Sequence, residues 1–229
     1  MCGRYTLTVD KSTIEKSFGA KFYIATASYD WEPTYNAAPS QLLPIIRSPD
    51  RIEPATWGFV PEGWKNARIR PQNNARLETA DTKPMFRESF SGRHCLVLAD
   101  SFYEWQTLPN GKKQPYRIML KSGEPFAMAG IYARSGVHAF AEGDTAPITF
   151  AVLTTTANEI MQPIHERMPV IMTAAHAKSW LHSGGTTIFQ PFPSELMTSY
   201  PVTPKMSKAS FNVPEAIQPF IPTLQLQAL

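Results

Sequence analysis

The stretch Cys95-Leu-Val-Leu-Ala-Asp-Ser-Phe-Tyr-Glu-Trp105, with Leu108-Pro-Asn-Gly-Lys-Lys-Gln-Pro115 and Tyr116-Arg-Ile-Met-Leu120 behind it, decides how this chain folds. Cys95 to Ala99 is a short, uninterrupted apolar run, which fits a strand buried on both faces. Asn110-Gly111 is a strong hairpin signal because both residues tolerate positive φ, so it should join two antiparallel strands. Similar short runs recur at Leu42 to Ile46, Ala55 to Val60, Phe126 to Ile131, Ile148 to Thr154 and Val170 to Met172. The 21 prolines that interrupt them are the punctuation of a strand-and-loop protein rather than a helical bundle. Helices should be few and short. Ser12 to Phe18 reads as one, stopped by Gly19. Thr173 to His182 reads as another, with a capping threonine at its start and Ser183-Gly184-Gly185 after it. His182 then lies in the last turn, where a cation suits the helix dipole. The expectation is an α+β chain with a mainly antiparallel β core. The tail after Pro201 is proline-rich and weakly patterned, and is expected to wrap over the surface rather than form a second domain.

With 229 residues, 43% of them apolar, the chain can bury a substantial core. A net charge of +3 permits an anionic partner without requiring one. The local balance says more. Arg68, Arg70, Arg76, Arg87, Arg93 and Lys83 outnumber Glu78, Asp81 and Glu88, although a solvated charged face explains such a run equally well. Cys2 and Cys95 are the only cysteines. No hydrophobic amino-terminal segment resembles a signal peptide or a membrane span, so the expected location is cytoplasmic, where a disulfide is disfavoured. Cys95 is most simply a buried core thiol. The five histidines form no ligand spacing with suitable cysteines, and neither a metal nor a cofactor is expected.

Four places combine polar chemistry with apolar surroundings. Once Met1 is removed, Cys2 carries an α-amine and a thiol on one carbon framework. Their reference pKa values are about 7.7 to 8.0 and about 8.5, so both have a reactive fraction near neutrality. Such a pair condenses with aldehydes. The amine forms an imine, the thiol adds to the same carbon, and a five-membered thiazolidine closes. Read alone, Cys2 is also consistent with an accident of the start site. The second place is Asn73-Asn74-Ala75-Arg76-Leu77-Glu78-Thr79. The third is Glu104, an acid among aromatics. Lost hydration would raise its pKa into the range of a general acid, whereas an alternating strand would turn it to solvent. The fourth is His165 in Ile164-His-Glu-Arg-Met-Pro169, at the entry to an apolar strand.

Together with Met1-Cys-Gly-Arg-Tyr5, Tyr35-Asn-Ala-Ala-Pro39 and Trp57-Gly-Phe-Val-Pro61, these motifs occur in the order of the SOS-response-associated peptidase (SRAP) family, the abasic-site processing proteins. The chain resembles that family over nearly its whole length; only Ser207 to Phe220 matches loosely. The resemblance implies a single domain over residues 1–229, with a barrel-like, mainly antiparallel β core and a basic channel for single-stranded DNA. The electrophile would be the ring-opened aldehyde of an abasic site. By the same resemblance, Cys2 supplies amine and thiol, Asn74 positions the amine or sugar, Glu104 shuttles protons, and His165 stabilises the opened sugar hydroxyl. Arg4 and Arg76 match phosphate-contacting positions. Trp57, Phe102 and Trp105 could stack on unpaired bases, with core packing as the alternative for these rings. The family name also records a peptidase activity, most plausibly self-removal of Met1, although an ordinary aminopeptidase would serve. The protein is expected to act as a monomer on single-stranded DNA, away from membranes. Two other readings stand beside this one. An amino-terminal-cysteine amidohydrolase would also begin Met-Cys-Gly, and a noncatalytic DNA binder would make Cys2 incidental.

Overall fold

The computed structural model describes residues 2–23, 31–63, 70–134, 147–184 and 190–221. Met1, Arg68, His138, Gly185 and the tail from 222 to 229, all part of the sequence reading, lie outside the described residues. In chain order the first half contains β1 Arg4–Leu7, α1 Lys11–Phe18, β2 Lys21–Phe22, β3 Thr34–Ala37, β4 Leu42–Ser48, β5 Arg51–Trp57 and β6 Asn74–Arg76. Next come α2 Leu77–Ala80, α3 Arg87–Gly92, β7 His94–Ala99, β8 Ser101–Thr107, β9 Lys113–Leu120 and β10 Phe126–Arg134. The remainder holds β11 Ile148–Thr156, β12 Arg167–Pro169, β13 Ile171–Met172, α4 Ala174–Ser183 and β14 Met197–Pro201. No helix among the described residues is long and apolar enough to cross a membrane.

The strands form two sheets. The smaller runs β14-β9-β8-β1-β3, all antiparallel, and contains the hairpin expected at Asn110-Gly111. The larger runs β12-β11-β10-β7-β4-β5-β2, with β13 on β10 and β6 on β11. A parallel pairing of β11 with β5, Thr149 opposite Thr56 and Phe150 opposite Trp57, closes β5-β4-β7-β10-β11 into a ring. That ring gives the β core its barrel-like character.

Strand β7 shows why the ring is stable. All six of its residues are buried. Cys95, Val97 and Ala99 pack on one side with Cys2, Tyr5, Trp57, Phe102 and Phe150, while Leu96 and Leu98 face a second core with Ile14 of α1 and Trp180 of α4. Both cysteines are free and buried, which leaves Cys95 the core thiol expected. Helix α1 stops at Gly19 as expected, at φ 64°, and begins one residue earlier than expected, at Lys11, where Asp10 caps it by accepting from the Thr13 N–H at 2.9 Å. In α4, Thr173 is the N-cap, Gly184 the left-handed stop, and His182 lies in the last turn.

Two strand expectations change. The run Ala55 to Val60 leaves the ladder after Trp57, because Gly58 adopts φ 144° and Phe59 pairs instead with Gln72. The run Val170 to Met172 is joined to β12 but changes partner at Val170. Its N–H donates to Leu153 O and its carbonyl accepts from Ala129, so the chain crosses from β11 to β10 there.

The segment after Pro201 lies on the outer face of the smaller sheet. Val202, Met206 and Ala216 are buried against Tyr103, with Trp105, Tyr200 and Phe211 around them. The buried Asn36 amide donates to the carbonyls of Met206, Lys208 and Phe211 at 2.8–3.1 Å. Beneath it, Asp100 accepts from the Thr6 and Thr8 hydroxyls and the Thr8 N–H, and Arg117 bridges Ser101 and the Tyr200 hydroxyl, both at 2.8 Å. The Asp100 bonds hold β1 to the turn between β7 and β8, and the Arg117 bonds tie β9 to β8 and β14.

Candidate active site

Strand β1 begins two residues after Cys2, and its pairing with β8 sets Arg4 opposite Tyr103 and Tyr5 opposite Phe102. Side chains alternate across a strand. Ser101 and Tyr103 of β8 therefore face the carboxyl-terminal segment, while Phe102 and Glu104 face the core that contains Cys2. Glu104 is 2% exposed. The solvent-facing alternative is thereby removed: both faces of β8 are covered, one by the ring and the other by the tail. Burial raises the Glu104 carboxyl to about 7, against the opposing influence of the positive amino terminus. Burial also pushes the Cys2 thiol well above its ordinary range, and the Glu104 carboxylate pushes it further.

Asn74 reaches the same place from the other sheet. Residues 74–76 form a strand only because β11 offers a parallel edge, Val152 opposite Asn74 and Thr154 opposite Arg76. This register aims the Asn74 amide at the Cys2 carbonyl, to which its Nδ2 donates at 2.8 Å. Its Oδ1 is buried and has no hydrogen-bond partner among the described residues. An acceptor beside the Cys2 backbone is what an α-amine needs to be oriented.

His165 ends the turn after β11, where its N–H donates to the Met161 carbonyl at 2.8 Å. Gln106 of β8 ties that turn down through the Pro163 carbonyl at 3.0 Å. Burial, and then the positive amino terminus, lowers the His165 pKa, which favours the neutral ring. The Arg167 N–H donates to its Nδ1 at 3.0 Å, which leaves the ring proton on Nε2. The structure thus joins Asn74 to Cys2 by a hydrogen bond and sets Glu104 where its charge acts on the Cys2 thiol, while His165 is held at the end of the turn that Gln106, two residues beyond Glu104, ties to β8.

The remaining sequence candidates separate. Arg76 is exposed. Arg4 is half-buried, its guanidinium donating to Gly3 O at 2.8 Å and Ser207 O at 3.4 Å, and burial lowers its pKa. Trp105 is partly exposed and donates to Ser207 Oγ at 3.1 Å. Trp57 is a correction. It is 0% exposed, stacks on Phe150 at 6.3 Å and donates to Asn73 O at 2.9 Å, so its ring faces are spent on the core. Phe102 is likewise fully buried. Of the basic run, Arg93 is committed to Glu62 and Glu88, whereas Arg70, Lys83 and Arg87 are exposed. No cluster of metal-ligating side chains occurs among the described residues.

Sequence reasoning missed the pair that joins two motifs. Arg167 grips Glu78 through both guanidinium nitrogens, at 2.7 and 2.8 Å, and also donates to Thr154 O at 2.6 Å. The pairing holds the Glu78 carboxyl below its usual range. It ties α2, which follows Asn74 directly, to the strand that carries His165's hydrogen-bond donor. Opposite charges inside two separate motifs were the available signal.

The chain is 37% identical over 228 residues to the abasic site processing protein YoqW of Bacillus subtilis, covering 95% of this chain and 99% of that one. It is 31% identical over 186 residues to YedK of Escherichia coli, covering 79% of each, and 28% identical over 268 residues to HMCES of Xenopus tropicalis, covering 97% of this chain and 79% of that one. Both carry the same protein description. A crystal structure of a Bacteroides thetaiotaomicron protein superposes with a TM-score of 0.83 at 26% identity, over 96% of this chain and all of that one. The SOS response associated peptidase (SRAP) family model matches residues 1–209, a span that takes in Cys2, Asn74, Glu104 and His165. By sequence and by fold, the chain belongs to the SRAP family.

Proposed function

We propose that this protein processes abasic sites in single-stranded DNA by capturing the ring-opened aldehyde on Cys2 as a thiazolidine. The observation that carries the reading is the meeting of three groups: Cys2, held by Asn74 through its carbonyl, and Glu104, a buried carboxyl raised to about 7 whose charge acts on the Cys2 thiol. Removal of Met1 turns the Cys2 nitrogen into the reacting amine, which donates a hydrogen bond to the buried Asn74 Oδ1. Glu104, divided between acid and carboxylate near neutrality, donates to the sugar ring oxygen as the hemiacetal opens, and the Nε2–H of His165 supports the resulting hydroxyl. The amine then adds to the aldehyde carbon, the carbinolamine hydroxyl takes up the proton that left the C1 hydroxyl on ring opening, and water departs to leave the iminium.

Closure follows from the burial that raises the thiol. A free thiolate is disfavoured in this site, so the sulfur attacks the iminium carbon as Glu104 takes its proton, and no isolated anion builds up. One C–S bond forms, the nitrogen becomes a secondary amine, and the whole sequence expels one water. An iminium left open would draw electrons from the sugar and allow β-elimination of the 3′ phosphate. Ring closure removes that electron sink, which makes the product a shield for the strand. Exposed Arg76 and partly exposed Arg4 supply sequence-independent attraction to phosphates.

We propose the same site for removal of Met1, with Glu104 moving a proton during cleavage of the bond between Met1 and Cys2. A Glu104→Ala protein made without cellular aminopeptidase should keep Met1 by intact mass, and complete removal would assign the step to another enzyme. The protein is proposed to act as a cytoplasmic monomer.

The decisive test mixes the processed protein with a single-stranded oligonucleotide carrying one abasic site and follows the product by denaturing gel and intact mass. The expected adduct equals protein lacking Met1 plus DNA minus one water, and is absent with Cys2→Ala. Binding without an adduct would leave a noncatalytic DNA binder, and neither binding nor adduct would return attention to amide substrates.

A further inference from the structure

We infer that the turn Pro204–Ser207 with Lys208 forms one wall of the DNA channel, in which Lys205 and Lys208 neutralise backbone phosphates beside the lesion. The inference rests on the proposed function and adds a surface to it that the motif residues do not include.

Position comes first. Ser207 touches both elements that carry the site. Its carbonyl accepts from Arg4, two residues after Cys2, and its hydroxyl accepts from Trp105, next to Glu104. Arg4, paired with Tyr103, and Trp105 share the face of β1 and β8 that the tail covers, so the turn stands beside the arginine to which the proposed function gives backbone phosphates.

Orientation comes next. Met206 is fully buried, while Lys205, Ser207 and Lys208 are exposed. The short turn Pro204–Ser207, capped by Thr203, puts the methionine inward and the two lysines outward. Its backbone is rigidly held, because the Asn36 amide binds the Met206 and Lys208 carbonyls. Two long cations are thereby presented from a rigid base, at low cost in backbone ordering.

Charge completes the argument. From Val202 to Pro214 the sequence contains Lys205 and Lys208 and no acidic residue, and no ion pair engages either lysine among the described residues. Arg4 adds a third positive charge, and the partly exposed Trp105 indole beside it is held edge-on by Ser207, leaving an aromatic surface on which a flanking base can stack. Cations arrayed around an aromatic, on backbone bonded to the site, suit a single-stranded polyanion.

The test uses an undamaged single-stranded oligonucleotide, so that covalent capture does not contribute, and reads affinity by fluorescence anisotropy across a potassium chloride series. Each phosphate neutralised on a single strand contributes about 0.7 to the slope of log affinity against log salt. The Lys205→Ala/Lys208→Ala protein should therefore show a slope shallower by about 1.4 than the wild type. The control Lys16→Ala/Lys178→Ala removes two exposed lysines from α1 and α4, which pack on the second core, and should keep the wild-type slope. An unchanged slope in the first variant, or an equal fall in both, would overturn the inference while leaving aldehyde capture intact. A wild-type protein that ignored single-stranded DNA would instead defeat the proposed function and this surface with it.

Discussion

Because burial holds the Glu104 carboxyl at about 7 rather than 4.5, the folded protein keeps a proton there at a pH where the unfolded chain has lost it. The folded state then binds more protons than the unfolded one, and stability falls as pH rises from about 4.5 through 7. The loss is on the order of 3 kcal/mol once the carboxyl is fully ionised. Glu104→Gln cannot ionise, and its urea unfolding free energy should change less between pH 5 and pH 8 than that of the wild type; equal changes would count against a raised Glu104. The same variant should slow adduct formation at least tenfold while DNA affinity holds. For Cys2, substitution by serine keeps the amine and weakens ring closure. Cys2→Ser should give shorter-lived adducts and more strand cleavage on denaturing gels, and an unchanged adduct lifetime would argue that sulfur does not close the ring.

At the scale of elements, the pair Glu78–Arg167 links α2, which follows the strand of Asn74, to β12, whose Arg167 N–H binds His165. Arg167 is 8% exposed, so removal of its partner strands a cation in a mostly buried position. Glu78→Ala should cost about 1–2 kcal/mol by urea unfolding, a figure reduced by the exposure of Glu78, and should slow adduct formation. Since the pairing depresses the Glu78 carboxyl, its contribution is present above about 4.5 and lost as pH falls through the depressed value. Glu78→Gln should recover part of the rate; if alanine and glutamine behave alike, the bidentate bond is not what positions the site. The strands most legible in the sequence were those with continuous apolar runs, such as β7 and β10, because burial on both faces leaves a local mark. Strand β6 has three residues and exists only through its partner β11, so nothing within 74–76 could announce it. The site was legible as four separate motifs. Their joining into one site came from the family resemblance and not from the residues themselves, since the Asn74–Cys2 bond and the Glu78–Arg167 bridge depend on strand pairings distant in sequence.

For the molecule as a whole, the burial of Glu104 depends on cover applied from both sides of β8. The expectation of a wrapping tail becomes a proposal with a clear consequence: ending the chain at Pro201 would uncover Tyr103, free three donor bonds of Asn36 and release Trp105 and Arg4 from Ser207. Each large side chain uncovered costs about 1.5–3 kcal/mol. The shortened protein should lose its cooperative urea transition or have a midpoint well below that of the full chain, and an unchanged midpoint would make the tail dispensable. A chain so dependent on its last segment cannot be divided into an active core and an ornament.

The ring closure of β5 on β11 and the docking of β1 on β8 also govern when the site comes into being. Cys2 leaves the ribosome before its partners at positions 74, 104 and 165, and the segment that covers β8 comes later still. At about 5–20 residues per second, synthesis of the intervening chain takes on the order of ten seconds or more. A peptide-bond cleavage that requires Glu104 in its buried state must wait for that interval to end. Met1 would then act as a cap during birth, keeping an aldehyde-reactive terminus out of contact with cellular metabolites until the pocket that restricts its access has been built.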